Sequence, residues 1–329
     1  MAISNFTRSN QVAAPLDGVL RHADVSPGKL VRIDGSAART AGATVITGQH
    51  LLDLDPYIGP IVRDQPLLAI DRIRYTGEPV AIVLAASAEA ARAAAALVTI
   101  EVESLPPGVT GAPSGSDRLI HLTELLRPGP LADGVALDHD RTNRLVAATV
   151  ESDANGHTPG QTIEITSTEQ SPNERLIASA QFDGTSLRIA SAIADVAYSG
   201  TILGALFEGT GIAVEIGPGV STTRAAVHVD ALAGVAARFV RGPVQITAET
   251  RAYGWSGPRG TIALSDSGAS LVIDTGASAG EVPGWLTELG ACLAETFGRT
   301  AVSVAVDYSE SPPIVSDIDA WRSAISSAR

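Results

Sequence analysis

A hairpin, a helix and a strand recur in that order in the second half of the chain, and this repeat restricts the available folds more than any other feature. TIEITSTEQSP leads into NERLIASAQFDGTSLRIASAI, two strand-like runs joined at Asp183-Gly184, a dipeptide suited to a tight hairpin turn. A helix over 197–208 and the strand IAVEI follow. About ninety residues later the pattern returns. GTIALSDSGASLVIDTG forms the second hairpin, and residues 285–297 form its helix. There Trp285, Leu289, Leu293 and Phe297 recur every fourth position beside Leu286, which gives one apolar face, and Gly298 stands ready as the C-terminal cap. The strand AVSVAVDY closes the copy, and a longer helix over 223–241 and the strand PVQITAE separate the two. Two related halves, each a helix layer on a sheet, predict an α+β domain.

The first third reads differently. LVRIDGSAA and ATVITG are short β-type runs closed by glycine, RIRYTGEPVAIVLA reads as a hairpin, and SAEAARAAAALV reads as a helix. Ser87 is its expected N-cap and Glu89 lies in its first turn, where an anion is favoured. The strand VTIEVESL follows, and PPGVTGAPSGSD, residues 106–117, has the composition of a linker. The expected organisation is an irregular arm over 1–15, a first domain over 16–110, a linker and irregular segment with a short helix near 119–126 over 111–160, and the repeat-built domain over 161–329. Hydrophobic residues make up 45% of the chain and aromatics only 4%, so the core must be filled by Ala, Val, Leu and Ile in thin, close layers.

Several function classes drop out on composition. A net charge of -13 disfavours nucleic acid and anionic membrane surfaces as partners. One cysteine, Cys292, leaves no disulfide, cysteine-rich zinc site or iron–sulfur cluster to be held by this chain alone. The six histidines, His22, His50, His121, His139, His157 and His228, lack metal-ligand spacing, so no metal site is expected. No run of about 18 apolar residues suits a membrane span. The expectation is a soluble, cytoplasmic protein.

Order and spacing across residues 16–105 carry a resemblance. Ile33-Asp34-Gly35-Ser36-Ala37, Val45-Ile46-Thr47-Gly48, Asp64-Gln65-Pro66-Leu67-Leu68-Ala69 and above all Ile73-Arg74-Tyr75-Thr76-Gly77-Glu78-Pro79-Val80-Ala81 resemble the α/β-hammerhead domain of the xanthine dehydrogenase and aldehyde oxidase family of molybdenum hydroxylases. Val102-Glu103-x-Leu105-Pro106 completes the match, and Glu78 reads as a structural residue of its turn. The remainder is similar to the family's first molybdopterin-binding domain in degenerate form. Ser171-Pro172-Asn173-Glu174 replaces a His-x-x-Met-Glu-Pro-like segment, while Arg241-Gly242-Pro243-Val244 and Thr250-Arg251 match an Arg-Pro-Val strand and its ending. The family's Gly-Gly-x-Phe-Gly cofactor loop is represented by Gly217-Pro218-Gly219-Val220-Ser221, its Ser-Thr-Gln by Ala192-Ile193-Ala194, and its Gly-Gln-Gly loop by Gly280-Glu281-Val282. Pro218 offers no N–H, and a carboxylate at Glu281 opposes a phosphate. The resemblance implies a chain cut short after the start of the second cofactor domain, with the family's catalytic glutamate lying beyond Arg329.

No bound cofactor is therefore expected. The resemblance places Glu174, Asp195, Tyr198, Arg251, Tyr253 and Trp255 at strand ends and loops near a vacated pocket, and a cavity lined by a few polar groups is the usual ligand site. Glu174, Asp195 and Arg251 are the expected catalytic residues, with both carboxyl pKa values raised by burial and Arg251 holding an oxygen. Tyr198, Tyr253, Trp255 and Ser221, the last in a glycine-rich turn, are the expected substrate contacts. Gly217-Pro218-Gly219 reads as a turn, with an anion nest as the alternative. The favoured function is a cofactor-independent cyclase, isomerase or dehydratase acting on a small organic molecule of the kind met in secondary metabolism. The alternatives are a non-catalytic partner subunit and a subunit of a split molybdenum hydroxylase. A shortened chain would expose apolar surface, so a homodimer is expected, or a heteromeric partner supplying the missing half.

Overall fold

The computed structural model describes residues 14–104, 120–121, 127–132, 144–150, 161–166, 173–315 and 317–329, the strand at 144–150 by its backbone alone. The expected arm through residue 13, the linker over 106–117 and the helix near 119–126, except Ile120 and His121, lie outside the described residues. The fold is α+β, as the sequence predicts, and the chain forms two compact units that alternate along it. Of the described residues, the first unit takes those of Met1–Ile58, Pro66–Ser104 and Pro172–Tyr253. The second takes those of Gly59–Gln65, Leu105–Ser171 and Gly254–Arg329.

A seven-stranded sheet organises the first unit, in the order Ser186–Ile193, Gly211–Ser221, Arg175–Phe182, Val244–Glu249, Leu16–His22, Pro79–Ala85 and Thr44–Thr47. Its central seam joins residues far apart in sequence. Leu16–His22 runs parallel to Val244–Glu249, with Leu16 opposite Val244, and antiparallel to Pro79–Ala85. Gly18 makes the seam possible, because a Cβ there would fall 2.4 Å from the Ile246 side chain and 2.6 Å from that of Leu84. The helix Ala88–Ala95 covers Leu16–His22 and Pro79–Ala85 with Ala91, Ala94 and Ala95. Ser87 caps it by accepting the Ala90 N–H at 3.2 Å. The helix Val227–Val240, buried from Val227 to Ala237, packs on Arg175–Phe182, Ser186–Ile193 and Val244–Glu249. Its run of alanines gives the thin layer that the composition demands.

Arg72–Ile73, Gly28–Asp34 and Thr99–Ser104 form a separate three-stranded sheet in this unit. Gly28–Asp34 stops at Asp34, whose carboxylate accepts the Ser36 N–H at 2.9 Å and turns the chain into the short helix Ser36–Thr40. The expected hairpin at RIRYTGEPVAIVLA does not form, since Arg72–Ile73 and Pro79–Ala85 enter different sheets. The reason is Arg74, only 2% exposed. Glu78 accepts its backbone N–H at 2.5 Å and its guanidinium at 3.3 Å, Asp71 takes the guanidinium at 2.8 Å, and Gly77 supplies the positive φ of 102° that closes the turn. Glu78 is thus structural, as the resemblance implies.

Both repeats form as predicted. In the first unit Arg175–Phe182 and Ser186–Ile193 pair antiparallel around Asp183-Gly184, the helix Val196–Leu206 follows, and Gly211–Ser221 returns parallel to Ser186–Ile193. In the second unit Arg259–Leu264 and Gly268–Asp274 make the hairpin, Leu286–Phe297 the helix, and Ala301–Asp307 returns parallel to Gly268–Asp274. Leu286, Leu289 and Leu293 are buried, and Gly298 ends that helix at φ 61°. The five-stranded sheet there runs Arg144–Val150, Ala301–Asp307, Gly268–Asp274, Arg259–Leu264 and Gln161–Thr166. One element differs from its expectation. Gly217-Pro218-Gly219 is neither a turn nor a nest but part of the strand that continues to Ser221, with neither glycine at positive φ.

Removing one partner of a buried ion pair leaves an uncompensated charge. Glu78→Ala is therefore expected to lower unfolding free energy by on the order of 3 kcal/mol in urea titrations, with Asp71 still holding part of the Arg74 charge.

Candidate functional site

Glu174 and Ser221 are brought together, while Asp195, Tyr198 and Tyr253 each take partners of their own. Glu174 precedes the strand Arg175–Phe182, and its backbone is held twice by Thr250. The Glu174 N–H donates to Thr250 Oγ1 at 2.9 Å, and the Thr250 N–H donates to the Glu174 carbonyl at 3.0 Å. The half-buried Glu174 carboxylate accepts the hydroxyl of Ser221, which ends the strand Gly211–Ser221 and is itself buried. Ser221 Oγ also accepts the Thr223 N–H at 3.0 Å, and its carbonyl accepts the Ala194 N–H at 3.0 Å. This hydrogen bond joins two of the side chains picked from the sequence.

Asp195 corrects an expectation. It caps the helix Val196–Leu206 by accepting the Tyr198 N–H at 3.0 Å, and Arg224 pairs with it at 3.1 Å. The Tyr198 N–H holds its carboxyl below the usual carboxylate range, with the Arg224 guanidinium adding to the effect. An exposed cap of this kind lacks the raised pKa expected of an acid/base group. Tyr198 is buried beneath the Arg224 guanidinium, 4.9 Å from its ring. Arg251 is exposed, and its backbone N–H approaches the Asn173 side chain at 3.4 Å. Tyr253 is fully buried and meets His228 Nδ1 at 3.1 Å, so its hydroxyl is directed into the core of the first unit. Trp255 is a buried residue of the second unit.

Two fully buried aspartates with matching surroundings, Asp64 and Asp230, are not among the site residues expected from the sequence. Asp230, on the helix Val227–Val240, accepts Ser191 Oγ at 2.5 Å, Ser199 Oγ at 2.7 Å and the Ala192 N–H at 2.7 Å. Asp64, in the second unit, accepts Ser278 Oγ at 2.7 Å, Tyr308 Oη at 2.9 Å and the Ala279 N–H at 2.6 Å. Each takes two hydroxyls and one amide from the segment where a hairpin hands over to its helix, or from beside it. Burial pushes each carboxyl up to about 6, against the three hydrogen bonds that favour the ion. In one dimension Ser191, Ser199 and Ser278 resemble ordinary turn and helix residues.

The segments that the resemblance assigns to a pterin cofactor were tested against these contacts. Pro218 has no N–H, and Gly217 lacks a Cβ because the Ser191 carbonyl stands 2.4 Å from where it would be, so protein already fills that space. In the other segment the Ala279 N–H is spent on Asp64, and Glu281 adds a half-buried carboxylate. Free amide donors and an absence of like charge are what an anionic cofactor requires. These residues do not fit it.

Comparison with known proteins agrees with the scaffold and stops there. Residues 18–106 match the family model described as aldehyde oxidase and xanthine dehydrogenase, a/b hammerhead domain. No curated protein matches the chain. Among solved structures it is similar to the aldehyde oxidoreductase from Desulfovibrio gigas, with a TM-score of 0.62 at 17% identity, covering 93% of this chain and 36% of that one. It is similar to quinoline 2-oxidoreductase from Pseudomonas putida 86, TM-score 0.64 at 16% identity, covering 93% and 42%. CO dehydrogenase from Oligotropha carboxidovorans gives 0.63 at 17%, again covering 93% and 42%. The chain therefore spans about two fifths of these proteins and shares their fold across nearly all its own length. No helix among the described residues is long and apolar enough to cross a membrane.

One further buried group carries a pH signature. His228 is fully buried beside Tyr253, and Tyr253 also meets His22 edge-on at 5.0 Å between ring centroids. Burial lowers the His228 pKa to about 4, and the nearby carbonyls of Pro66 and Leu67 only partly oppose this, neither reaching hydrogen-bond geometry with Nε2. A base whose folded pKa lies below its unfolded value of 6.5 stabilises the fold at neutral pH, and that stability drains away as pH falls towards 4. Asp230 has the opposite sign, since its raised carboxyl favours the fold increasingly as pH falls from about 6. Comparing wild type with His228→Gln by urea denaturation at pH 7.5 and pH 4 isolates the histidine. The difference is expected to shift by about 3 kcal/mol in favour of the variant. An unchanged difference would place the imidazole in contact with water.

Proposed function

We propose that this chain, whose residues 18–106 form a hammerhead domain of the aldehyde oxidase and xanthine dehydrogenase family and whose remainder shares the hydroxylase fold, acts without a pterin group. In this reading it is an acid/base catalyst of cyclase, isomerase or dehydratase type, and its substrate is a small, largely apolar organic molecule. The observation that carries the reading is the Glu174–Ser221 hydrogen bond. It couples a half-buried carboxylate to a hydroxyl, and Thr250 fixes the carboxylate's backbone from both sides. Glu174 would take or give the proton, and Ser221 would relay or orient it. Arg251, next to Thr250 in sequence, is the nearest candidate along the chain to hold a carbonyl or anionic oxygen. Asp195 keeps its helix cap and takes no part.

A second reading has its own support. Ile216, Pro218 and Val220 lie on one face of the strand Gly211–Ser221, with Ile216 59% and Val220 47% exposed, and the similar chains are more than twice as long. In that reading the protein is a non-catalytic subunit that pairs with another chain.

Two measurements separate these readings. Elemental analysis of the purified protein, with oxidation to release fluorescent pterin, is expected to find neither molybdenum nor pterin, and stoichiometric amounts of both would restore an oxidoreductase. Once turnover of a small molecule is found, Glu174→Gln is expected to slow it by about 10²–10⁴-fold without unfolding the protein. If full activity persists, Glu174 is not the acid/base group. Loss of complex formation in Ile216→Asp, with Glu174→Gln silent, would favour the subunit reading.

A further inference from the structure

We propose that the Asp64 pocket of the second unit is a carboxylate-binding cradle that the chain occupies with its own side chain, and that removing the side chain turns it into a site for a small external carboxylate. Ser278 Oγ, Tyr308 Oη and the Ala279 N–H converge on one carboxylate at 2.6–2.9 Å. Two of them take Oδ2 and one takes Oδ1, so both oxygens are held and the plane of the group is fixed. Among the described residues no cation pairs with it, and Asp64 is fully buried. The donors themselves are anchored. Tyr308 is buried with its ring 4.9 Å from that of His121, and His121 Nε2 meets the Ala277 carbonyl at 2.7 Å, immediately before Ser278. Residues Thr275–Ala279 are all buried, which keeps them from turning outward when the ligand atoms are removed.

Preset donors and excluded water spare a ligand any reorganisation on binding, and the burial that raises the Asp64 carboxyl to about 6 makes binding strengthen as pH falls. The site differs from a bound-ligand pocket only in that its anion is covalently tethered. Asp230 occupies an equivalent arrangement of two hydroxyls and one amide in the first unit, which makes the cradle a repeated feature of the module. Replacing Asp64 by alanine removes the carboxylate group and leaves a space the size of formate, with three unsatisfied donors around it. Formate fills it without strain, acetate carries one methyl too many, and tetrahedral phosphate matches neither plane nor volume.

Thermal unfolding of the full chain tests this. Asp64→Ala is expected to melt below wild type, and formate is expected to raise its melting temperature in a saturable way. Acetate should act more weakly, phosphate at equal ionic strength should have no effect, and wild type should not respond to formate. Val304→Ala, which opens an apolar cavity in the same unit, controls for general salt effects and should also be unresponsive. Where Asp64→Ala does not fold in plain buffer, the readout becomes refolding yield with and without formate. The proposal is overturned if formate does nothing to Asp64→Ala by either measure, or if it rescues Val304→Ala equally.

Discussion

Two buried carboxylates hold the handover from hairpin to helix in both halves of this protein. Desolvation opposes them and outweighs the hydrogen bonds that favour the ion, which leaves each carboxyl raised to about 6. They persist because the alternative is worse. Without Asp230 the hydroxyls of Ser191 and Ser199 and the Ala192 N–H would be buried with one acceptor fewer, and the same holds for Ser278, Tyr308 and Ala279 without Asp64. The handover decides where each crossover helix starts, and the helix decides where the parallel return strand lands. Gly211–Ser221 and Ala301–Asp307 then return parallel to the second strand of each hairpin.

That arrangement also bears on function. The fold is shared with much longer oxidoreductases at 16–17% identity, so the same layers form from very different sequences. In this chain the segments between the layers face inward: Gly217 lies against the Ser191 carbonyl, and the Ala279 amide binds the chain's own carboxylate. Under the proposed function, chemistry falls to side chains at strand ends. Glu174 and Ser221 are joined there because Thr250, just past the strand Val244–Glu249, holds the Glu174 backbone while the Ala194 N–H donates to the carbonyl of Ser221.

Local signals were legible in one dimension and long-range ones were not. Asp183-Gly184, Ser87 and Gly298 act through neighbours a few residues away, and each does what its type predicts. The hairpin read at residues 72–85 failed because its strands are separated by a buried arginine, and burial of Arg74 depends on partners that periodicity does not reveal. The pairing of Leu16–His22 with Val244–Glu249 spans more than two hundred residues and leaves only Gly18 as a trace. At the candidate site the types were right more often than the roles. Asp195 was legible as a helix cap from its place before Val196, but the resemblance drew it towards catalysis. Asp230 sat inside an apolar helical run, where its three partners come from two other elements.

Amide hydrogen exchange at Ala192 and Ala279 tests the central role of the buried aspartates most directly. Both amides lie outside regular helix hydrogen bonding and donate to aspartate oxygens. If these pins secure the handovers, the two amides exchange as slowly as those of Ile189, earlier in the strand that holds Ala192, and of Leu271, in the strand before Ala279, by opening of the whole unit. Exchange at the rate of a solvent-exposed turn, with the strand amides still protected, would show that the handovers open on their own and that the aspartates do not govern the fold.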